Sequence, residues 1–256
     1  MYANERIIAL SPAIGEILYG LGMYDEVVAV SSYSTYPKEA LSKPKIGGYF
    51  APNLEKILSL KPTLVIGANH NAKLLKQLQH FHIKTLELSF FTLADINNAI
   101  ESIAKYTNTT KEAQRLHQAI TKSITTSRKQ NSQKRVLIVF GGKNDISKSN
   151  YVAGHDSFYE EILTICGVKN AYNHNYLAQP VLDYESLIRL NADEVIILYS
   201  PQTDSISKEA LLHKWQKLPI NASKHHKIHI LDKDYLFIAS QRIAQSIEDI
   251  CQVLDD

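Results

Sequence analysis

Ten histidines, two cysteines and a scatter of carboxylates are the groups here that could hold a metal or carry out a reaction, so their spacing is the first thing to read. The Gly141-Gly142-Lys143 turn has neither the spacing of a phosphate-binding loop nor that of a dinucleotide fingerprint. There is no Gly-x-Ser-x-Gly elbow and no His-Glu-x-x-His helix. Gly154-His155-Asp156-Ser157 has no ordered partners and reads as a turn leading into a helix cap. His225, His226 and His229 form a basic tract before a strand, which reads as a solvated loop rather than a metal site. His70 and His155 differ from these, because each follows a strand or loop expected to open on a ligand cleft, where an imidazole can touch a ligand or donate axially to a metal. Neither a resident cofactor nor catalysis is expected.

The aromatic residues carry a clearer signal. Tyr33 and Tyr36 lie in Ser-Ser-Tyr-Ser-Thr-Tyr-Pro, Tyr49 and Phe50 in Gly-Gly-Tyr-Phe-Ala-Pro, Tyr151 in Asn-Tyr-Val-Ala-Gly, and Tyr235 and Phe237 beside Asp234. Core aromatics follow a strand or helix period. These are all read as loop-borne, which suits a surface lined for a large, flat, partly apolar ligand.

The elements that must position them alternate between strand and helix. Arg6–Leu10, Val27–Val30, Leu64–Gly67 and Thr85–Leu88 read as strands, and the rhythm returns at Val136–Phe140, Glu194–Leu198 and Ile228–Leu231. Between the halves, 93–106 reads as a helix, Thr107–Thr110 as a break with capping residues, and 111–129 as a longer helix. The expected organisation is an α/β fold of two Rossmann-like lobes, residues 1–108 and 133–256, bridged by a long helix over 109–132. A stiff bridge would limit closure, and the cleft between lobes is the expected ligand site. A repeat supports two lobes: Asn53-Leu-Glu-Lys-Ile-Leu-Ser-Leu-Lys-Pro-Thr-Leu-Val-Ile aligns without a gap with Asp183-Tyr-Glu-Ser-Leu-Ile-Arg-Leu-Asn-Ala-Asp-Glu-Val-Ile at an offset of 130, pairing Glu55 with Glu185. Glu16-Ile-Leu-Tyr-Gly-Leu-Gly and Glu161-Ile-Leu-Thr-Ile-Cys-Gly form a second, earlier echo.

Bulk properties bound the function further. A net charge of +2, from 28 basic and 26 acidic residues spread along the chain, provides no field to recruit nucleic acid. No apolar run approaches the roughly 18 to 20 residues of a membrane span. The N-terminus carries no basic-then-apolar leader, so the chain is read as cytosolic or as a mature form whose leader has been trimmed. Cys166 and Cys251 are open to two readings, buried thiols or a bridge.

Together these segments resemble the cobalamin- and siderophore-binding proteins of ABC importers over nearly the whole length. The carriers are Arg6-Ile-Ile-Ala-Leu-Ser-Pro-Ala-Ile-Gly-Glu-Ile-Leu, Ser32-Tyr-Ser-Thr-Tyr-Pro, Lys45-Ile-Gly-Gly-Tyr, Asn53-Leu-Glu-Lys-Ile with Leu60-Lys-Pro, and Ala239-Ser-Gln-Arg-Ile. The resemblance implies a periplasmic or lipid-anchored, monomeric binding protein that delivers a corrinoid to a permease dimer in the inner membrane. It implies that Glu55 and Glu185 dock into arginine pockets of that permease, that Cys166 and Cys251 form a disulfide, and that Tyr33, Tyr49, Tyr151 and Tyr235 line the ligand cleft. Phe50, His70, His155 and Phe237 complete the expected ligand set. One departure bears on the cargo. After Leu64-Val-Ile-Gly the cobalamin-binding members tend to place a tryptophan, where this chain has Ala68-Asn69-His70. That leaves room for haem, a ferric siderophore, or a nickel or cobalt chelate. Two further readings are an enzyme on a duplicated scaffold using His70, His155 and Asp234, and a binder of a bare divalent ion.

Overall fold

A computed structural model of the chain describes residues 5–141, 146–174, 178–201, 204 and 206–255. The start of the chain, Met1–Asn4, and Gly142 and Lys143 of the glycine turn lie outside the described residues. The described residues form two compact units. The first runs up to Ile120 and also takes in Ile238–Gln241, while the second holds Thr121–Phe237 and the stretch from Arg242 onward.

The first unit contains β1 (Ile7–Ala9), α1 (Pro12–Gly20), β2 (Val27–Val30), α2 (Leu54–Ser59), β3 (Leu64–Ala68), α3 (Ala72–His80), β4 (Lys84–Leu88) and α4 (Leu93–Thr107). The next helix, α5 (Thr110–Ser127), begins in this unit and ends in the second. The sheet order is β2-β1-β3-β4, with every pair parallel. Central β1 and β3 are buried throughout and accordingly read as unbroken apolar runs, whereas β4 at the edge keeps exposed charged residues. Ile8, Leu10, Ala29, Ile46, Ile57, Val65, Leu75 and Leu78 form one core on this sheet, each larger side chain contributing roughly 1.5–3 kcal/mol by leaving water. Ser240 belongs here because its hydroxyl donates to the buried Glu16 carboxylate of α1 at 2.5 Å.

The second unit continues with β5 (Arg135–Phe140), β6 (Asn150–Val152), α6 (Phe158–Ile165), β7 (Lys169–Asn170), β8 (Val181–Leu182), α7 (Tyr184–Leu190), β9 (Glu194–Leu198), α8 (Lys208–Gln216), α9 (Asn221–Lys224), β10 (Ile228–Leu231) and α10 (Ile243–Val253). Its sheet runs β10-β9-β5-β6-β8, with β7 also against β5. The β9, β10 and β7 pairings are parallel, while β6 and β8 are antiparallel. The short strands correct the reading of Tyr151 as loop-borne: it lies in β6, opposite Phe140. Three residues are too few to show an alternation, so the strand left no period to detect. Tyr235 and Phe237 likewise lie within a 3-10 turn, Asp234–Phe237. Among the described residues no helix is long and apolar enough to cross a membrane.

The internal repeat is a repeat of structure down to single hydrogen bonds. The Asn53 side chain caps α2 by accepting from the Lys56 N–H at 2.9 Å, and Asp183 caps α7 by accepting from Ser186 at the same distance. Lys61 and Asn191 close these helices with φ of +46° in both cases. Arg6 then donates to the carbonyls of Leu60 and Lys61, and Arg135 to those of Leu190 and Asn191. Each arginine satisfies carbonyls that a helix end leaves orphaned. The same two residues pair their backbones with Thr63 and Asp193, whose side chains return a bond to the arginine N–H. The second echo holds as well, since Gly22 after α1 and Gly167 after α6 share φ of +73°.

Candidate functional site

In the first unit the parallel strands all end at one edge, and it is outside the carboxyl ends of such strands that α/β sheets bind ligands. Tyr33 follows β2, His70 follows β3 in a 3-10 turn (Asn69–Asn71), and Phe90 and Phe91 follow β4. Tyr49 and Phe50 come from residues 45–53, a loop stitched alongside β2. Val30 N–H donates to Pro44, Ile46 N–H to Val30, and Ser32 N–H to Gly47, at 2.9–3.1 Å. The turn needs glycine at 47, where φ is +110° and a Cβ would stand 2.8 Å from the Ala51 carbonyl.

The result is a contiguous aromatic cluster. The Tyr49 and His70 rings lie 4.0 Å apart, Tyr49 and Phe50 4.9 Å, and Phe50 and His70 5.2 Å between centroids. Tyr49, His70, Phe90 and Phe91 line a cavity of about 140 Å³ together with Ala68 and Asn69. Phe50 is 81% and Tyr33 68% exposed, so apolar rings face solvent beside it. Burial pushes the Tyr49 phenol above its ordinary pKa, which keeps it a proton donor. Phe90 and Phe91 are not among the residues expected from the sequence, although a doubled aromatic before the Thr92 cap of α4 is the same kind of loop signal as the others. Nor is Asn71, a buried amide that donates to the Tyr49 carbonyl at 3.3 Å and accepts from Ala68 N–H at 3.0 Å.

The two singled-out histidines present opposite faces. His70 Nε2 lies 3.2 Å from the Tyr49 carbonyl, which can only accept, so Nε2 carries the proton and Nδ1 keeps its lone pair. Burial lowers the His70 pKa below 6.5 and the bond to Tyr49 only partly offsets this, so the ring is neutral at pH 7. At His155 the Asp156 N–H, which can only donate, reaches Nδ1 at 3.0 Å and leaves the proton on Nε2. The Asp156 carboxylate also lies 3.3 Å from the same Nδ1. His155 is also not level with the strand ends. Because β6 runs antiparallel to β5, Ala153 N–H bonds Ile138, and Gly154 accepts from Asn170, whose backbone pairs with Val136.

The other residues of the second unit are partly spent on their own fold. The Tyr235 hydroxyl donates to Asp249 on α10 at 2.5 Å, and burial first, then that carboxylate, drive its pKa far up. Arg242 stacks over the same ring at 5.4 Å. Phe237 is half-buried and Tyr151 is 40% exposed. A larger groove of about 700 Å³ in this unit includes Arg135, Glu160 and Lys169 but none of the selected aromatics. Its cations are already engaged, Arg135 on the end of α7 and Lys169 on Gln133. Cys166 and Cys251 are bonded, joining the end of α6 to α10. Glu55 and Glu185 stand exposed at matching positions, two residues past the caps of α2 and α7. Among the described residues no group of three His, Cys, Asp or Glu side chains gathers as a metal site.

Comparison with known proteins agrees with this frame. The family described as periplasmic binding protein matches residues 7–235. An uncharacterised ABC transporter substrate-binding lipoprotein, YvrC of Bacillus subtilis (strain 168), is 28% identical over 97% of this chain and 79% of its own. A vitamin B12-binding protein of Vibrio parahaemolyticus is 27% identical over 97% of this chain and 88% of its own. Among solved structures, the periplasmic haem-binding protein HutB of Vibrio cholerae superposes with a TM-score of 0.83 at 23% identity, covering 99% of this chain and all 100% of that one, and so shares the fold. With the family match spanning nearly its whole length, the chain belongs to the periplasmic binding protein family.

Proposed function

We propose that this chain is the extracytoplasmic solute-binding component of an ABC importer, capturing a corrinoid or related metal chelate and handing it unchanged to the permease. The observation that carries the reading is the Tyr49, Phe50 and His70 cluster, with Phe90 and Phe91 alongside, at the carboxyl edge of a parallel sheet. Exposed rings beside a small number of polar groups suit a large, flat, partly apolar solute. The relative named for vitamin B12 supports a corrinoid, and the relative named an ABC substrate-binding lipoprotein supports the importer and an anchored or periplasmic placement. The cystine fits an oxidising compartment. Glu55 and Glu185, one exposed carboxylate on each unit, would be the groups the permease dimer grips through charge-assisted bonds.

A second cargo is favoured by one feature, the neutral His70 whose Nδ1 lone pair is not engaged by the Tyr49 carbonyl. An imidazole nitrogen of that kind suits a chelate whose metal has an open axial position, such as haem iron or a nickel or cobalt complex. Thermal unfolding of the purified chain with cyanocobalamin, haemin, a ferric hydroxamate, and nickel or cobalt with histidine tests both, since a ligand of the native state raises Tm. A rise with cyanocobalamin supports the corrinoid. A rise with haemin alone, accompanied by an imidazole-ligated absorption spectrum, transfers the assignment to the second cargo. No rise with any chelate refutes the proposal.

A further inference from the structure

We propose that Lys45 is a positioning residue for ligand capture, its ammonium group locking the Tyr33 loop against the Tyr49–Phe50 loop without touching the ligand. The inference rests on the ligand-capture reading above and names the device that holds that site in shape.

Lys45 opens the loop that carries Tyr49 and Phe50, and its backbone forms a parallel bridge with Val30. Its side chain reaches across to the neighbouring loop and donates to the carbonyls of Ser34 and Ala40, both at 2.8 Å. Ser34 follows Tyr33 directly, and Ala40 lies in the 3-10 turn Lys38–Leu41 that receives the chain beyond it. Ser31 and Ser34 are fully buried, their hydroxyls bonded to each other at 3.0 Å, and the Ser34 N–H returns to the Ser31 carbonyl. Tyr33, at the outer corner of this turn, is 68% exposed, so its own burial does little to fix its direction. The tethers hold its backbone, and the ring lies beside Gly48, where a Cβ would stand 3.7 Å from it.

The tether has an unusual electrostatic composition. Burial holds the Lys45 pKa below the ordinary lysine value, and among the described residues no carboxylate forms an ion pair with it. Two carbonyl dipoles are its protein partners, with solvent reaching the partly buried ammonium. Bonds from a charged donor exceed neutral ones in strength, and a side chain of equal length without donors would give up the bond to Ser34 and leave the Ala40 carbonyl with the Lys43 N–H at 3.3 Å. A cation retained there on carbonyl contacts fits a role in holding two ligand-facing loops in register.

Hydrogen exchange of the unliganded full chain tests this directly. Lys45→Met is expected to speed exchange across residues 31–41 by about tenfold while β3 and α1 keep their protection, and Lys45→Arg is expected to restore most of it. Titration with cyanocobalamin and haemin then links the lock to Tyr33. Lys45→Met weakens binding by about tenfold in the wild-type background but less than about twofold when Tyr33 is already alanine. Unchanged exchange in Lys45→Met overturns the proposal, as does an equal loss of binding with and without Tyr33, which would mark general destabilisation. If the wild-type chain binds neither probe, the chelate assignment fails and the exchange rates alone decide the role of Lys45.

Discussion

The two units share a frame and differ at their tips. Both cap their repeated helix with an Asx side chain, end it on a left-handed residue, and hold its last carbonyls with an arginine at the start of a strand. The first unit then gathers Tyr49, Phe50 and His70 into ring contact. The second turns three of its phenols inward: Tyr159 donates to Leu236, Tyr199 to Ile206 and Tyr235 to Asp249. Residues that satisfy backbone groups are held in place by the cost of leaving those groups unpaired, whereas loop side chains are free to diverge. On the proposed function, recognition would rest chiefly on the first unit and reinforcement on the second.

The most forceful way to break it is to cut the cystine. The bridge joins residues 85 apart, and a loop of that length corresponds to about 4.5 kcal/mol by chain entropy. Denaturant unfolding of the reduced protein, or of Cys166→Ala/Cys251→Ala, should show a loss of up to that size. Exchange should accelerate in α6 and α10 and leave β1 and β3 protected. Equal acceleration in both units would show that they unfold as one block and that the reinforcement is not local.

The histidines give the next largest contrast. His70→Ala should weaken binding of whichever chelate the chain takes by about tenfold, while His155→Ala changes it by less than about threefold, both read by calorimetry. The pH dependence follows from the direction of the His70 shift. Its folded pKa lies below 6.5, so the lone pair is present throughout the range above that value and disappears as acid protonates the ring. Affinity for a metal-coordinated ligand should be flat from pH 8 to about 6.5 and fall on further acidification. An equal loss in both alanine variants would erase the distinction between the tips.

The shared frame predicts matched, smaller effects. Arg6 is exposed and the Arg135 side chain 40% exposed, so solvent discounts their bonds to the helix ends. Arg6→Ala and Arg135→Ala should each cost about 1 kcal/mol in denaturant unfolding. A cost in only one of them would mean that the repeated hydrogen bonds are decorative in the other unit.

This division also explains what could be read from the sequence. The offset of 130 between Asn53 and Asp183 was visible because caps, buried strand residues and Glu55 with Glu185 all fall in step, and the strands 64–68 and 194–198 keep the same offset. Length made 93–106 and 111–129 legible as α4 and α5. The two- and three-residue strands β6, β7 and β8 have no period to show, which is why Tyr151 reads from sequence as a loop residue. At the site, Tyr49, Phe50 and His70 were found by residue type and location, but their mutual contact depends on the Gly47 turn and the Asn71 amide. Phe90 and Phe91 lie in a loop that the family segments did not single out. Hydroxyl partners such as Asp249 for Tyr235 lie across the fold and leave no local trace.

The finest test concerns Glu55 and Glu185. Both are exposed in the first turn of short helices, where a carboxylate gains only a small, screened benefit from the helix N-terminus. Glu55→Ala and Glu185→Ala should therefore shift Tm by less than about 2 °C and leave chelate affinity unchanged. If the pair exists to be gripped, each substitution should reduce uptake in a reconstituted importer, and the two together should reduce it further. Because the positions are matched to the residue, the two losses should be similar in size, unlike those of the histidines. Normal uptake with both carboxylates removed would assign them to the shared frame alone, and with them the last functional feature that the two units hold in common.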